Sequence, residues 1–350
     1  MATKPQTIDP VRLALVGLGG HGGTIQRAAE AADGVDIVAV YDPVDAAMQE
    51  ALERFGCDAA PSYEALLARG DLDAVALVTP NPLHRPQAEA AFEAGLDVFV
   101  EKPIANTVAD GLAMIEAGQA ARRILMVGHN MRFGRATQLA RRTLAAGRLG
   151  EIVSVEIHFS ADHTKHLAQD SWRLRPDQCP LLPVMQLGIH AIDLVHDLVG
   201  AVEEVYALTR SVTTEPGVID SVSATLRLAS GPTGTLVSNY CTPAFFQIRL
   251  AGTEGLLRCT PHQYWFQPAS EANGEGDGPA ETHDFRAYDL ERSVLMLNAF
   301  AESVRRRTRP EVDGWVGLQA LAVVEALHRS AESGNVERVP SFNRKASPSL

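Results

Sequence analysis

The sequence predicts an α/β protein: an N-terminal doubly wound parallel sheet, then a C-terminal α/β domain built on an open, largely antiparallel sheet. Three observations carry that prediction. Apolar runs alternate with helix-like segments through the first third of the 350 residues. A glycine-rich turn joins the first apolar run to the first helical segment. Beyond Gly128 the strand-like runs change from almost wholly apolar to alternating.

The first domain is predicted over 9–128. Its strands read VRLALVG (Val11–Gly17), VDIVAVYD (Val35–Asp42), LDAVALVTP (Leu72–Pro80), LDVFVEKP (Leu96–Pro103) and RILMVGH (Arg123–His129). Near-continuous apolar runs suit strands buried on both faces. Between them lie TIQRAAEAA, PVDAAMQEALERFG, YEALLARG and HRPQAEAAFEAG, helical in spacing, with Gly34, Gly56, Gly70 and Gly95 as punctuation. Strand–helix alternation requires parallel strands with right-handed crossovers.

The second domain is predicted over 129–340, with 341–350 as a frayed tail. A helix over Ala136–Ala146 precedes EIVSVEIHFS, whose alternation marks a strand with one wet face. A helix over Met185–Val199 follows, then strands near Val205–Ser211, Ser221–Leu228, Gly234–Tyr240, Gln247–Gly252 and Gly255–Cys259. Their short Gly/Pro/Thr turns favour antiparallel neighbours. The stretch PASEANGEGDGPAETH (Pro268–His283) reads as a surface loop, and helices over Glu291–Arg307 and Gly314–Ser333 close the domain.

Composition narrows the function. Lysine and arginine number 31 against 43 aspartates and glutamates, a net charge of −12, which gives no general attraction to nucleic acid or anionic membranes. The one tight basic run, Arg305, Arg306, Arg307 and Arg309, reads as a solvated helix end. Cys57, Cys179, Cys241 and Cys259 lie far apart, without a CxxC pair, so neither a zinc knuckle nor a dense disulfide frame is predicted. MATKPQTIDP lacks the apolar core of a signal peptide, and no apolar run approaches ~20 residues. The expectation is a cytoplasmic protein that binds neither nucleic acid nor membrane.

The glycine turn is the first functional signal. Gly17, Gly19 and Gly22 form G-x-G-x-x-G directly after the first strand and at the opening of the first helix, with Leu18, Gly20 and His21 completing the loop. The first glycine permits the tight turn and the second lets the backbone approach a pyrophosphate. The third allows close strand–helix packing, and the helix N-terminus supplies free N–H groups. Asp42 ends the second strand 25 residues after Gly17. A carboxylate there accepts the hydroxyls of an adenosine ribose and repels a 2′-phosphate, which predicts a Rossmann site for a nicotinamide or flavin dinucleotide, with NAD preferred over NADP.

Two further strand ends, VTPNPLH (Val78–His84) and VEKPIA (Val100–Ala105), accompany the glycine turn. With GHNMRF (Gly128–Phe133), SWR (Ser171–Arg173), QLGIHAIDLV (Gln186–Val195) and the closing EVDGWVGLQALAVVEALHRSAESG, they resemble the glucose–fructose oxidoreductase / inositol dehydrogenase / rhizopine-catabolism (Gfo/Idh/MocA) family over nearly the whole chain. The resemblance implies a Rossmann domain, a C-terminal domain whose open sheet mediates homodimers or homotetramers, and NAD(P)-dependent redox chemistry on sugars or cyclitols. It implies that Thr79, Pro80, Asn81 and His84 line the cofactor and that Glu101 holds the nicotinamide ribose. Lys102 then faces the reacting centre and His190 approaches the substrate hydroxyl. Trp172 and Arg173 cover nicotinamide or substrate, and Asn130 and Arg132 lie on the pocket floor, with pinning of the domain junction as the alternative role of Arg132.

Removing a hydride from an alcohol carbon requires a group that takes the hydroxyl proton. Lys102 lies at the carboxyl end of a sheet strand, where open α/β sheets bind ligands, and a partly desolvated lysine has a lowered pKa. His190 and Asp193, three positions apart, are neighbours on one helix face. The chain departs from the family at Gln186, where an aspartate usually stands four residues before the histidine, and at Leu181 and Leu182, where paired glycines are common. Glutamine cannot ionise or relay a proton, so Gln186 is expected to orient substrate or His190.

DHTKH (Asp162–His166) has metal-ligand residue types, but its place between a strand and SWR predicts a substrate-side loop, and no metal is expected. The absence of a G-x-S-x-G elbow argues against a covalent hydrolase. The sequence thus predicts an NAD-dependent oxidoreductase acting on a secondary hydroxyl of a sugar, sugar acid or cyclitol, with Lys102 and His190 as acid/base groups. Two alternatives stand beside it: a glycosidase-like enzyme of the same fold that retains NAD without net redox change, and a dinucleotide-binding sensor without catalysis.

Overall fold

The computed structural model describes residues 9–269 and 281–342. The first half alternates as its apolar runs require: β1 Val11–Val16, α1 Gly22–Glu30, β2 Val35–Tyr41, α2 Asp45–Phe55, β3 Asp58–Ala59, α3 Tyr63–Leu67, β4 Ala74–Leu77, α4 Asn81–Glu93, β5 Asp97–Val100, α5 Val108–Ala120 and β6 Leu125–Val127. The strands form a six-stranded sheet in the order β3-β2-β1-β4-β5-β6, parallel throughout. The order reverses between β1 and β4, and that switch point opens a crevice at the carboxyl ends of the strands. β4 and β5 are buried on both faces, as strands covered by helices on each side must be.

The second half begins with a short 3₁₀ turn, Asn130–Phe133, and α6 Arg135–Ala145. The strands are β7 Ile152–Asp162, β8 Val202–Arg210, β9 Ser221–Leu228, β10 Thr233–Asn239, β11 Cys241–Gly252, β12 Gly255–Cys259, β13 Gln263–Pro268, β14 Glu281–Asp284 and β15 Glu337–Arg338; α7 is Ile189–Leu198, α8 Glu291–Arg306 and α9 Gly314–Ser333. They build a nine-stranded sheet, β14-β13-β12-β11-β7-β10-β9-β8-β15, antiparallel except where β10 pairs with β7. Alternation along β9, buried at Val222, Ala224, Leu226 and Leu228, leaves one face of the sheet outward.

Several expectations change in the folded chain. The ends of the stretch expected as a loop over Pro268–His283 are strands: β13 ends at Pro268 and pairs with β14 from Glu281 onward. Composition did not show this, because the pairing comes from backbone groups rather than an apolar pattern. Residues 270–280 and the tail residues 343–350 lie outside the described chain. Before them Phe342 packs against Trp315, with ring centroids 6.4 Å apart, and Pro340 accepts a hydrogen bond from Gln319.

Three of the four arginines in the basic run are exposed, as expected of a solvated helix end, yet the run also fastens the fold. Arg305 donates to the carbonyls of Asp9 and Gly34, and Arg307 pairs with buried Asp97 at 2.5 Å, so the end of α8 is fastened under the parallel sheet. Phe300 on α8 packs edge-on against Phe99 of β5 at 5.8 Å. On α9, Gly314 and Gly317 lie so close to Ile115, Leu125 and Val127 that a Cβ would come within 2.6–3.0 Å of them. These two helices therefore pack against the parallel sheet as well as closing the second half. Among the described residues no helix is long and apolar enough to cross a membrane.

Candidate active site

At the switch point a cleft of about 750 Å³ runs from the glycine turn to the second half of the chain. Gly17 shapes its floor: its φ is +88°, and a Cβ there would lie 2.5 Å from the Val78 carbonyl oxygen. Gly22 is equally constrained, since a Cβ would lie 2.4 Å from the Gly17 carbonyl. Gly19 instead faces open space, which leaves its backbone free for the close approach of a ligand. Gly20 and His21 also line the cleft, whereas Leu18 is buried behind it and donates its N–H to Asp42 Oδ2 at 2.7 Å. Asp42 lies on the cleft wall with Oδ1 accepting from Val44 N–H at 2.8 Å, so each carboxylate oxygen keeps capacity for a further hydrogen bond.

The opposite wall carries Thr79, Pro80 and Asn81. Thr79 Oγ1 donates to Gln87 Oε1 at 2.6 Å, and among the described residues the Nδ2 of buried Asn81 has no partner, which leaves it a donor for a ligand in the cleft. His84 is placed differently from the implied cofactor contact. It is buried, absent from the cleft wall, and its Nδ1 and Nε2 lie 2.9 Å from the carbonyl oxygens of Pro103 and Thr79. It ties the β4 and β5 ends together from behind.

Glu101 and Lys102 follow β5 into the cleft, and the Lys102–Pro103 peptide is cis. Burial pushes the Glu101 carboxyl up, but the His21 imidazole, with Nε2 3.3 Å from Oε1, and Lys102 outweigh it and hold the group below its ordinary value. Gly128 makes room for that carboxylate: a Cβ there would lie 2.6 Å from Oε1. Lys102 is half-buried, and desolvation lowers its pKa, with Arg173 adding to the effect and Glu101 opposing it. Its Nζ donates to the backbone carbonyl of Gln186 at 3.1 Å.

Gln186 arrives in the cleft on a π-helical turn, Val184–Gly188, that runs into α7. Such turns re-aim side chains within a helix. Its Oε1 faces Arg173 Nε at 3.4 Å, and its Nε2 faces Cys179 Sγ at 3.5 Å. Burial raises the Cys179 thiol to about 12, so it stays protonated. Arg173 lies over the Trp172 ring at 4.5 Å, and both line the cleft. Among the described residues no carboxylate reaches within 4 Å of the Arg173 guanidinium.

His190 is buried beyond the cleft wall, packed against Phe159 and His129 with ring centroids at 6.1 and 6.2 Å. Burial, with Lys102 and His129 nearby, lowers its pKa well below the usual value, so its neutral form is favoured. Arg132 and Asn130 stand at the junction of the two sheets and outside the cleft wall. Arg132 makes a bidentate pair with Asp193 at 2.7 and 2.8 Å and reaches Asp197 at 3.2 Å, while Asn130 Nδ2 donates to Ser293 Oγ at 3.1 Å. His129 was missed in the sequence because it reads as the end of an apolar strand; the fold encloses it completely. In the Asp162–His166 segment Lys165 pairs with Asp162 at 2.6 Å, and among the described residues no group of three His, Cys, Asp or Glu is arranged to hold a metal ion.

Comparison with known proteins agrees with this geometry. Residues 11–129 match the model of an oxidoreductase family with an NAD-binding Rossmann fold, and residues 137–258 match the GFO/IDH/MocA C-terminal domain. A D-xylose 1-dehydrogenase (NADP(+)) from Haloferax volcanii is 33% identical over 275 residues, 78% of this chain and 82% of that protein. A 2,7-anhydro-N-acetylneuraminate hydratase from Mediterraneibacter gnavus is 30% identical over 209 residues, 57% of this chain and 52% of that protein. The WlbA dehydrogenase from Bordetella pertussis, solved with NADH and UDP-GlcNAcA, is 28% identical, covers 97% of this chain and 100% of its own, and superposes with a TM-score of 0.84. Fold, glycine turn, E-K-P lysine and these matches converge: the chain belongs to the Gfo/Idh/MocA family of oxidoreductases.

Proposed function

We propose that this protein is an NAD-dependent dehydrogenase for a secondary hydroxyl of a sugar, sugar acid or cyclitol. The observation that carries the reading is the meeting of Lys102 Nζ with the Gln186 turn, beside Arg173, in a cleft continuous with the dinucleotide-type glycine loop. The donor set fits a dinucleotide. Gly19 leaves open space, Asn81 Nδ2 has no partner among the described residues, the Glu101 carboxylate faces His21, and Asp42 lies on the cleft wall. The Asp42 carboxylate favours NAD, since a 2′-phosphate would meet its charge; the NADP-linked relative from Haloferax volcanii makes this a point to measure.

A nicotinamide held in this cleft would supply the hydride acceptor. Lys102 binds the substrate hydroxyl and takes its proton, because burial favours the neutral amine. His190 is the next proton acceptor, and Gln186 and Trp172 orient the substrate. Arg173 has no carboxylate partner in the described chain and is the cation available to a sugar acid. The outward face of the nine-stranded sheet, with exposed Leu208 among polar neighbours, is the surface through which we place a homodimer or homotetramer.

The hydratase relative and uncharged Gln186 favour a second reading, a retained-cofactor enzyme without net redox change. NADH appearance with NAD⁺ and a panel of sugars, sugar acids and inositols separates the two. Substrate-dependent NADH that is lost in Lys102→Ala supports the dehydrogenase. Substrate conversion without NADH release supports the second reading.

A further inference from the structure

A dinucleotide with its pyrophosphate on the glycine turn and a ribose at Asp42 extends its base past Asp42, away from Lys102. The cleft has apolar walls in that direction. Val44 and Ala47 line it after β2, and Leu83, Pro86 and Ala90 line it from α4. Val44 and Leu83 stay 57% and 44% exposed although both are apolar. Exposed apolar side chains on two separate elements of one cleft suit the faces of a planar base, which covers them when it enters.

The edge of such a base needs polar partners, and Gln87 on α4 lines the same end of the cleft. Tyr63 Oη donates to the Gln87 backbone carbonyl at 2.6 Å and fixes the main chain of the residue. Burial raises the Tyr63 phenol, with Glu64 adding to the effect, so the hydroxyl keeps its proton for that bond. Thr79 Oγ1 donates to Gln87 Oε1 at 2.6 Å, which sets the orientation of the amide. Turned over, the amide would present Nε2 to Thr79 and deprive the hydroxyl of its acceptor. Among the described residues no partner meets Nε2, and Oε1 keeps a second lone pair. Gln87 thus presents an acceptor and a donor side by side, the pattern that pairs with the N6 amino group and a neighbouring ring nitrogen of adenine. Glu64 also lines this end; its exposed carboxylate accepts hydrogen bonds but donates none.

We propose that Gln87, oriented by Thr79, selects adenine as the base of the dinucleotide. The proposal rests on the dinucleotide reading above and holds for NAD and NADP alike, since both carry adenine. A hypoxanthine base has an oxygen at position 6 in place of the amino group. That oxygen would meet Oε1, acceptor against acceptor, and one hydrogen bond would be lost. Gln87 touches no reacting atom; it decides which dinucleotide enters the cleft.

Calorimetric titration of the full chain with NAD and with nicotinamide hypoxanthine dinucleotide tests this without turnover. Where NADP binds more tightly than NAD, the 2′-phosphorylated pair is used. The wild type should bind the adenine form roughly tenfold more tightly, the scale of one hydrogen bond lost with its partner left unpaired. Gln87→Leu should bring that ratio close to one, mainly by weakening the adenine form. Thr79→Val should narrow the ratio by freeing the amide to turn. A Gln87 that served only the packing of α4 would weaken both dinucleotides equally and leave the ratio as it was. A wild type that binds both forms equally, or a Gln87→Leu protein that keeps the wild-type ratio, overturns the assignment alone. A wild type that binds neither NAD nor NADP overturns the dinucleotide reading and the assignment together.

Discussion

Lys102 Nζ donates to the backbone carbonyl of Gln186 at 3.1 Å, so the lysine that follows the parallel sheet is held by the main chain of the π-helical turn, not by the Gln186 side chain. The side chain can change while the hydrogen bond stays. Gln186→Asp places a carboxylate beside Lys102 and should raise its pKa. Because the neutral amine is the base, the acid limb of kcat/KM for alcohol oxidation should move to higher pH. An unchanged pH–rate profile would sink the assignment of Lys102 as base.

Arg173 lowers the Lys102 pKa by like charge and has no carboxylate of its own among the described residues. Arg173→Met should therefore also move the acid limb upward. It should reduce kcat/KM for sugar acids roughly tenfold more than for neutral sugars, the scale of one lost charged hydrogen bond. Equal losses on both substrate classes would show that Arg173 acts on the cofactor.

Asp42 secures the Leu18 amide and lines the cleft. Asp42→Ala should weaken NAD binding by roughly tenfold to a hundredfold and narrow the preference over NADP, as expected for losing a charge-assisted acceptor. Titration of both dinucleotides by fluorescence checks this; a fall in NADP affinity as large as that in NAD affinity would mean that Asp42 serves only the loop.

Gly128→Ala would drive a Cβ to within 2.6 Å of the Glu101 carboxylate and displace a flexible side chain rather than backbone. The expected result is a protein with a near-normal melting temperature and a large loss of dinucleotide affinity. Calorimetry and cofactor titration on the same sample separate this from general unfolding.

Of the two roles expected for Arg132, pocket floor or junction pin, its guanidinium takes the second, paired with Asp193 and Asp197. Arg132→Met leaves Asp193 buried and unpaired, which should cost about 3–5 kcal/mol of stability. Burial raises the Asp193 carboxyl, but His129 and Arg132 hold it below its ordinary value. In the wild type this stabilisation is present above the unfolded carboxylate pKa and lost as pH falls through the folded one. Urea unfolding of both proteins at neutral and acidic pH should show the difference shrinking in acid.

Short-range chemistry determined much of this protein. Near-continuous apolar runs specified the buried parallel strands, because only strands covered on both faces exclude polar residues. Gly17 and Gly22 marked the turn, because no other residue fits their backbone contacts. E-K-P and G-I-H-x-I-D pointed to the family through residue identity alone. Even the departure at Leu181 has a structural trace: its φ is +51°, the conformation glycine would adopt without strain, although the side chain is buried.

The tertiary structure decided the rest. It showed that His84 fastens two strand ends, that Arg132 belongs to a buried ion pair, and that the arginine run of α8 fastens the helix under the parallel sheet. It also brought His129 against Asp193 and His190 across 61 residues or more of chain. Such roles depend on which partner a side chain meets after two sheets close on each other. A local pattern carries the direction in which a residue points, but the charge or carbonyl waiting there is supplied by a distant segment.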